Sequence, residues 1–210
     1  MGAHLHRIDA ARRWDDRLSA EQRERFQRYL SEILTALGLD LDTDGTRETP
    51  ARLLEAWVES TAGYRADPKL LTTFPVDHNA GEVGTSAQVV EGPIPFTALC
   101  EHHALPFYGR LWIGYVASNV LIGLSKLTRL ARQYSRRFTM QERMGREIAA
   151  ELERRVGARG VAVRVEAGHL CTRMRGVREP EAVTASSVWR GRYEESAALR
   201  AEFLALCAQS

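Results

Sequence analysis

Cys100-Glu101-His102-His103 and, roughly seventy residues later, His169-Leu170-Cys171 concentrate two thiols and three imidazoles in a chain with only three cysteines and six histidines. Thiolate and imidazole together are the ligand chemistry of zinc. Cys100 and His103 are three apart, so one turn of backbone can aim both at a common point. His169 and Cys171 are two apart, which on a β-strand places them on one face. Cys100, His103 and Cys171 form the most economical ligand set. Three protein ligands leave a fourth position open, the arrangement of a catalytic rather than a structural zinc site. The competing reading makes Cys100 and Cys171 small buried hydrophobes, but a second His/Cys group at strand spacing favours the metal. His102 and His169 are then left over as general acids or bases near neutral pH. Cys207 ends an apolar-faced helix with no histidine near it and reads as packing.

Cations come next. Ser125 in Gly123-Leu124-Ser125-Lys126 reads as the N-cap of a helix whose first turn carries Lys126 and Arg129. Positive side chains oppose the macrodipole there. A bound anion reverses the sign, because free backbone N–H groups and both cations then favour it. A phosphate site and two solvated cations remain equal readings of this motif. Gln141-Glu142 is also two-sided. Thr139 to Glu142 matches a capping box, while the Glu142 carboxylate has the shape to accept two hydrogen bonds from a guanine edge; locally the cap is favoured. Arg173 and Arg175 share parity with His169 and Cys171, and an unbroken strand carries them along the same face, where a guanidinium suits an anionic substrate. Arg178 reads as surface. Arg129, Arg132, Arg136, Arg137 and Arg143 crowd into fifteen residues, either as a solvated helix face or, for some, with specific roles.

These residues need a scaffold. At 210 residues, with 44% hydrophobic and 27% charged residues, the chain has the composition of a soluble globular protein. A net charge of +2 gives no global field for nucleic acid. No apolar run approaches the roughly 20 residues that cross a bilayer, and no secretory h-region is present. Three cysteines make no disulfide framework, so a cytoplasmic location without membrane or nucleic-acid partners is expected. Residues 1–18 read as a flexible tail. Residues 19–65 read as a helical subdomain: Ser19 and Gln22 form a capping box, Phe26, Leu30, Ile33, Leu34 and Leu37 form an apolar face, and Gly38 stops the helix. Thr49 caps a second helix with Pro50 at its first position and Leu53, Leu54, Trp57 and Val58 buried. Residues 62–82 read as loop. Residues 66–210 read as an α+β domain with an antiparallel sheet. Its short β segments are 87–91, 109–116 and 120–124. Helices follow over 125–137 and 140–156, then a long strand over 160–171, a strand over 183–193 and a closing helix over 195–207.

Taken in order, the motifs resemble one family, GTP cyclohydrolase I. Leu99 to Gly109 resembles its metal segment, Ile122 to Arg129 its phosphate segment and Met140 to Arg143 its guanine segment. Ala167 to Cys171 with Met174 to Arg178 resembles its second metal segment. Glu48 to Arg52 and Gly63-Tyr64 are similar to its helical N-terminal part. The resemblance implies a tunnelling fold, an antiparallel sheet backed by two helices, in subunits that join into rings, commonly a decamer of two stacked pentamers with active sites between subunits. It implies conversion of GTP and water to 7,8-dihydroneopterin triphosphate and formate. Cys100, His103 and Cys171 would hold Zn2+ and activate water. His169 would protonate the guanine imidazole nitrogen, His102 assist ribose opening and Ser125 the later sugar rearrangement. Lys126, Arg129, Arg175 and Lys69 would bind the triphosphate, and Glu142 the guanine edge with Gln141 beside it. Ser187-Val188-Trp189-Arg190 and Ser135-Arg136-Arg137-Phe138-Thr139 depart from the family pattern. The other readings are an enzyme of the same fold acting on another purine or pterin, and a non-catalytic zinc protein that binds a nucleotide. Folate, biopterin and deazapurine pathways all remain open for the product.

Overall fold

The computed structural model describes residues 17–71, 73–75, 88–118 and 120–209. The chain divides into two compact units, Met1–Ala62 and Gly63–Ser210. Most of the expected tail, residues 1–16, and part of the expected loop, residues 76–82, lie outside the described residues. Arg17, also assigned to that tail, donates to the Thr61 carbonyl at 2.8 Å and to its hydroxyl at 3.1 Å.

The first unit is a helix pair, α1 (Ala20–Ala36) and α2 (Thr49–Ser60). Ser19 and Gln22 close the expected capping box, and Gly38 takes a φ of +96° just past the C-cap, where an L side chain would be strained. Two expectations fail here. Glu48, not Thr49, is the N-cap of α2, and it makes no side-chain cap bond. Trp57 is exposed rather than buried, as are Ile33 and Leu37 on the apolar face of α1; the buried residues of the two helices are Leu30, Pro50, Leu54 and Val58.

The second unit carries β1 (Thr73–Pro75), β2 (Gln88–Cys100), β3 (Pro106–Val116), β4 (Val120–Ile122), α3 (Leu124–Ser135), β5 (Phe138–Thr139), α4 (Gln141–Val156), β6 (Gly160–His169), α5 (Leu170–Arg173), β7 (Thr184–Gly191), α6 (Arg192–Glu195) and α7 (Ala197–Ala208). Five strands form a sheet in the order β5-β2-β3-β6-β7; β1 and β4 form a separate pair. The sheet is antiparallel except where β5 runs parallel to β2, matching Leu99 with Phe138 and Cys100 with Thr139.

Apolar alternation decides which face each helix covers. Leu111, Ile113, Tyr115, Val161, Val163 and Val165 pack with Leu127 and Leu130 of α3 and Met144, Ile148 and Leu152 of α4 in the main core. The opposite face carries Trp112, Val116 and Ala162, which pack with Tyr193, Phe203 and Cys207. The reading of Cys207 as a packing residue agrees with this. Trp189, in one of the two unusual motifs, packs against the same cluster.

Strand bounds differ from the sequence reading in ways that matter for function. Gly92, Pro93 and Pro95 look like breakers, yet β2 continues through them to Cys100, with a register shift between Glu91 and Ile94. Strand β6 stops at His169 instead of reaching Cys171. Among the described residues, no helix is long and apolar enough to cross a membrane.

Candidate metal centre and the groups around it

The β2–β3 connection builds half of the centre. Cys100 is the last residue of β2. Its carbonyl accepts from the His103 N–H at 3.3 Å and the Ala104 N–H at 2.8 Å, and its own N–H donates to the Leu105 carbonyl at 2.8 Å. Ala104 sits at φ +54°. This tight reversal folds both imidazoles back over the thiol: Cys100 Sγ lies 3.9 Å from His102 Nδ1 and 3.7 Å from His103 Nδ1.

The other half comes from the end of β6, which pairs with β3 so that His169 stands opposite Phe107. Cys171 is delivered by the single turn α5, not by strand alternation. The Thr172 hydroxyl donates to the His169 carbonyl at 2.9 Å and the Met174 N–H to the Leu170 carbonyl at 3.1 Å, so the chain curls as it leaves the sheet. One ligand atom each from Cys100, His103 and Cys171 lies within 4.8 Å of the other two. Tetrahedral zinc ligands, at about 2.0–2.3 Å from the ion, stand roughly 3.3–3.8 Å from one another. Cys100 Sγ and His103 Nδ1, 3.7 Å apart, match that spacing, and two sulfurs with one ring nitrogen inside 4.8 Å are a donor set suited to such an ion. Burial pushes the Cys171 thiol up, and the neighbouring Cys100 thiol adds to the effect. A metal ion would release that proton.

His169 is the most constrained of the imidazoles. Its ring lies parallel to Phe107, with centroids 4.6 Å apart and planes 1° apart. Its Nε2 is 3.0 Å from Gln141 Oε1. Burial lowers its pKa; the Glu142 carboxylate opposes this and Arg173 adds to it. Gln141 is 1% exposed, and its amide nitrogen is engaged by the Val165 and Thr184 carbonyls and the Ser186 hydroxyl. Glu142 is exposed. The capping-box reading fails, because Met140 is the N-cap of α4 and no side chain caps it; the Thr139 hydroxyl donates instead to the Met140 carbonyl at 3.2 Å.

One ion pair beside the centre escapes sequence reasoning. The Arg143 guanidinium grips both oxygens of Glu101, with Nη2 3.0 Å from Oε1. This fork ties the Cys100–His103 turn to the first turn of α4. The two residues are 42 apart, and no local pattern announces them. Nor is the arginine run a solvated face throughout. Arg137 donates to the Gly63 and Gln133 carbonyls and lies over the Tyr134 ring at 4.3 Å.

The expected phosphate groups are spread over exposed and half-buried positions. Gly123, not Ser125, is the N-cap of α3, without a side-chain cap bond. Ser125 is exposed and Lys126 half-buried in the first turn. Arg129 pairs with Asp67 at 3.2 Å, and the same carboxylate accepts from the Lys69 backbone N–H at 2.9 Å. Asp67, which the sequence reading passed over, thus links the Lys69 backbone to Arg129. Arg175 is exposed. Arg173 does not continue a strand face: its guanidinium turns back onto the Ala182 carbonyl at 2.9 and 3.0 Å. Arg178 is exposed, as expected.

The sequence profile of the GTP cyclohydrolase I family matches residues 26–208. A protein of Corynebacterium glutamicum is 42% identical over 187 residues, covering 87% of this chain and 92% of the relative. One from Mycobacterium marinum is 43% identical over 186 residues, covering 87% and 89%. One from Campylobacter lari is 36% identical over 183 residues, covering 87% and 94%. Each of the three bears the name GTP cyclohydrolase 1. Among solved structures, the archaeosine synthase QueF-Like in its apo form covers 52% of this chain at a TM-score of 0.39 and 10% identity, too slight a likeness to bear on fold or function.

Proposed function

The chain belongs to the GTP cyclohydrolase I family, and from that premise we propose that Cys100, His103 and Cys171 hold a zinc ion at which GTP is hydrolysed and rearranged to 7,8-dihydroneopterin triphosphate, with release of formate. The observation that carries this reading is the convergence of two thiols and an imidazole within 4.8 Å, with the half-buried His169 at the end of the same strand pair. When bound, zinc lowers the pKa of water toward neutrality and so supplies a nucleophile for C8 of guanine.

The protein's own groups do the rest. His169 donates a proton to the imidazole nitrogen of guanine as the C8–N bond breaks, so the departing nitrogen leaves as a neutral amine. His102, exposed at the turn, assists ribose opening, and Ser125 the later sugar rearrangement. Glu142 accepts from N1–H and the 2-amino group of guanine. Lys126, Arg129 and Arg175 bind the triphosphate, with Lys69 as a further contributor. Asp67 holds Arg129 in place until phosphate competes for the same guanidinium.

The proposal extends to assembly. In a tunnelling fold, sheets of neighbouring subunits join edge to edge. Strand β7 stands at the edge of this sheet, and exposed Met174, Val177 and Val183 precede it. These features support a ring, and with stacking a decamer; the cytoplasmic location is part of the same proposal. The product would serve a pterin- or folate-type pathway.

Purified protein, assayed for metal and mixed with GTP, tests the reading. The expected results are about one zinc per chain, formate, and a fluorescent pterin after oxidation. GTP bound tightly but recovered unchanged would replace the enzyme with a nucleotide-binding zinc protein. Turnover of a different purine instead of GTP would move the substrate.

A further inference from the structure

Gln141 opens α4 with its side chain in the protein rather than in solvent, 1% exposed. Helix α4 can come this close to β6 and β7 because Gly145, one turn on, offers no side chain; a Cβ there would meet Val188 Cγ2 at 3.2 Å. In the β6–β7 ladder Val165 pairs with Ser186 and Ala167 with Thr184. Gln141 Nε2 reaches across that ladder, 3.2 Å from the Val165 carbonyl, 3.0 Å from the Thr184 carbonyl and 3.0 Å from Ser186 Oγ.

Two backbone carbonyls can only accept. They fix the sense of the amide, because a flipped Gln141 would set its oxygen against both in a buried site. The amide oxygen is therefore the atom that faces His169, and it lies 3.0 Å from Nε2. An amide oxygen can only accept. The ring nitrogen opposite it must carry hydrogen. Phe107, parallel to the imidazole at 4.6 Å, supports one face of the ring.

We propose that Gln141 is a positioning residue for catalysis: it holds His169 as the Nε2–H tautomer and so reserves Nδ1 for proton exchange with the substrate. This rests on the reading of His169 as the proton donor. It moves Gln141 from the guanine pocket to the support of the acid. In the step, the Nδ1–H bond of the imidazolium breaks, its electron pair stays on Nδ1, and an N–H bond forms on the guanine imidazole nitrogen. The Nε2–H bond to Gln141 persists before and after, so the ring need not turn between proton loss and recovery.

Neutron diffraction from deuterium-exchanged crystals of the zinc-loaded enzyme reads the tautomer directly. The expected result is a deuteron on His169 Nε2 directed at Gln141 Oε1. A bare Nε2, or a Gln141 amide turned the other way, overturns the proposal. Kinetics supply the second test. Gln141→Met keeps the length and loses the acceptor. The expected outcome is kcat lower by about 10- to 100-fold, KM for GTP within about twofold, and unchanged zinc content. A KM raised tenfold with kcat intact would return Gln141 to substrate binding and overturn the positioning role. If that variant does not fold, the deuteron position alone decides. His169→Ala with undiminished kcat would refute the acid assignment, yet leave the tautomer measurement standing.

Discussion

The candidate metal corner and the proposed phosphate end of this molecule are built by opposite means. Cys100, His103 and Cys171 hang from the ends of long paired strands and are drawn together by a register extending over ten residue pairs between β3 and β6. Ser125, Lys126, Arg129 and Arg175 sit on a helix start and a loop; two of them are exposed, and Arg129 is held by a carboxylate. In the first region the strand register itself sets the positions of the side chains. The second keeps its charges solvated or paired, and under the proposed function it would exchange those partners for phosphate. Under the proposed function, preorganisation would lie where bonds break, and adaptable charge where the substrate is only held.

The contrast can be broken at several points, the largest effect first. Cys171→Ser should remove metal and lower turnover by roughly a thousandfold or more, because the nucleophile depends on the ion; metal content and formate release check it, and a zinc-replete, active variant would dissolve the corner. His169→Ala should lower kcat by about 10²- to 10⁴-fold, the range of general acid catalysis, with zinc retained. At the other end, Lys126→Ala and Arg129→Ala should raise KM for GTP by roughly 10- to 100-fold each, the worth of one charge-assisted hydrogen bond of about 1.5–3 kcal/mol, and steady-state kinetics across ionic strength should show it shrinking with salt. Equal losses in kcat would mean that the phosphate end also shapes the chemistry. Glu101→Gln should weaken zinc retention by about tenfold in chelator competition, since it removes one arm of the fork that braces the turn; unchanged retention would leave the pair a surface contact.

The smallest effect is a control away from both ends. Burial works to raise the Glu166 carboxyl, but hydrogen bonds from Arg164 and Arg110 outweigh it and hold it below its usual value. A carboxyl depressed in the folded state stabilises above its unfolded pKa, about 4.3, and loses that contribution as pH falls. Wild type should therefore lose thermal stability more steeply below about pH 4 than Glu166→Gln, while both keep the same KM and kcat at pH 7.

The candidate metal group was legible because its members come in local clusters whose chemistry needs no partner to be recognised. Cys100 and His103 share one turn, and the motif named them. How Cys171 arrives was not legible: the sequence pattern extends β6 through it, whereas the chain leaves the sheet at His169. Helix α4 and the alternating valines of β6 could be read from periodicity, since each buries one face along its whole length. Strand β2 could not, because glycine and prolines interrupt its pattern while β3 holds it in place from outside. The caps of α3 and α4 misled for a related reason. Ser125 and Thr139 have the right chemistry near the right place, but the helix start is set by where the preceding strand ends. Gln141, Glu101 and Asp67 act through partners tens of residues away, and spacing does not encode such pairs.

The two-residue strand β5 has a reach beyond its size. Its rungs lock Leu99 to Phe138 and Cys100 to Thr139, so the backbone that presents the proposed metal ligand also sets the start of the segment proposed to face the nucleobase. A lineage drifting toward another base could exchange side chains on α4, but could not slide that helix without dragging the cysteine along. Under the proposed function, substrate preference and metal capture would be inherited as one block.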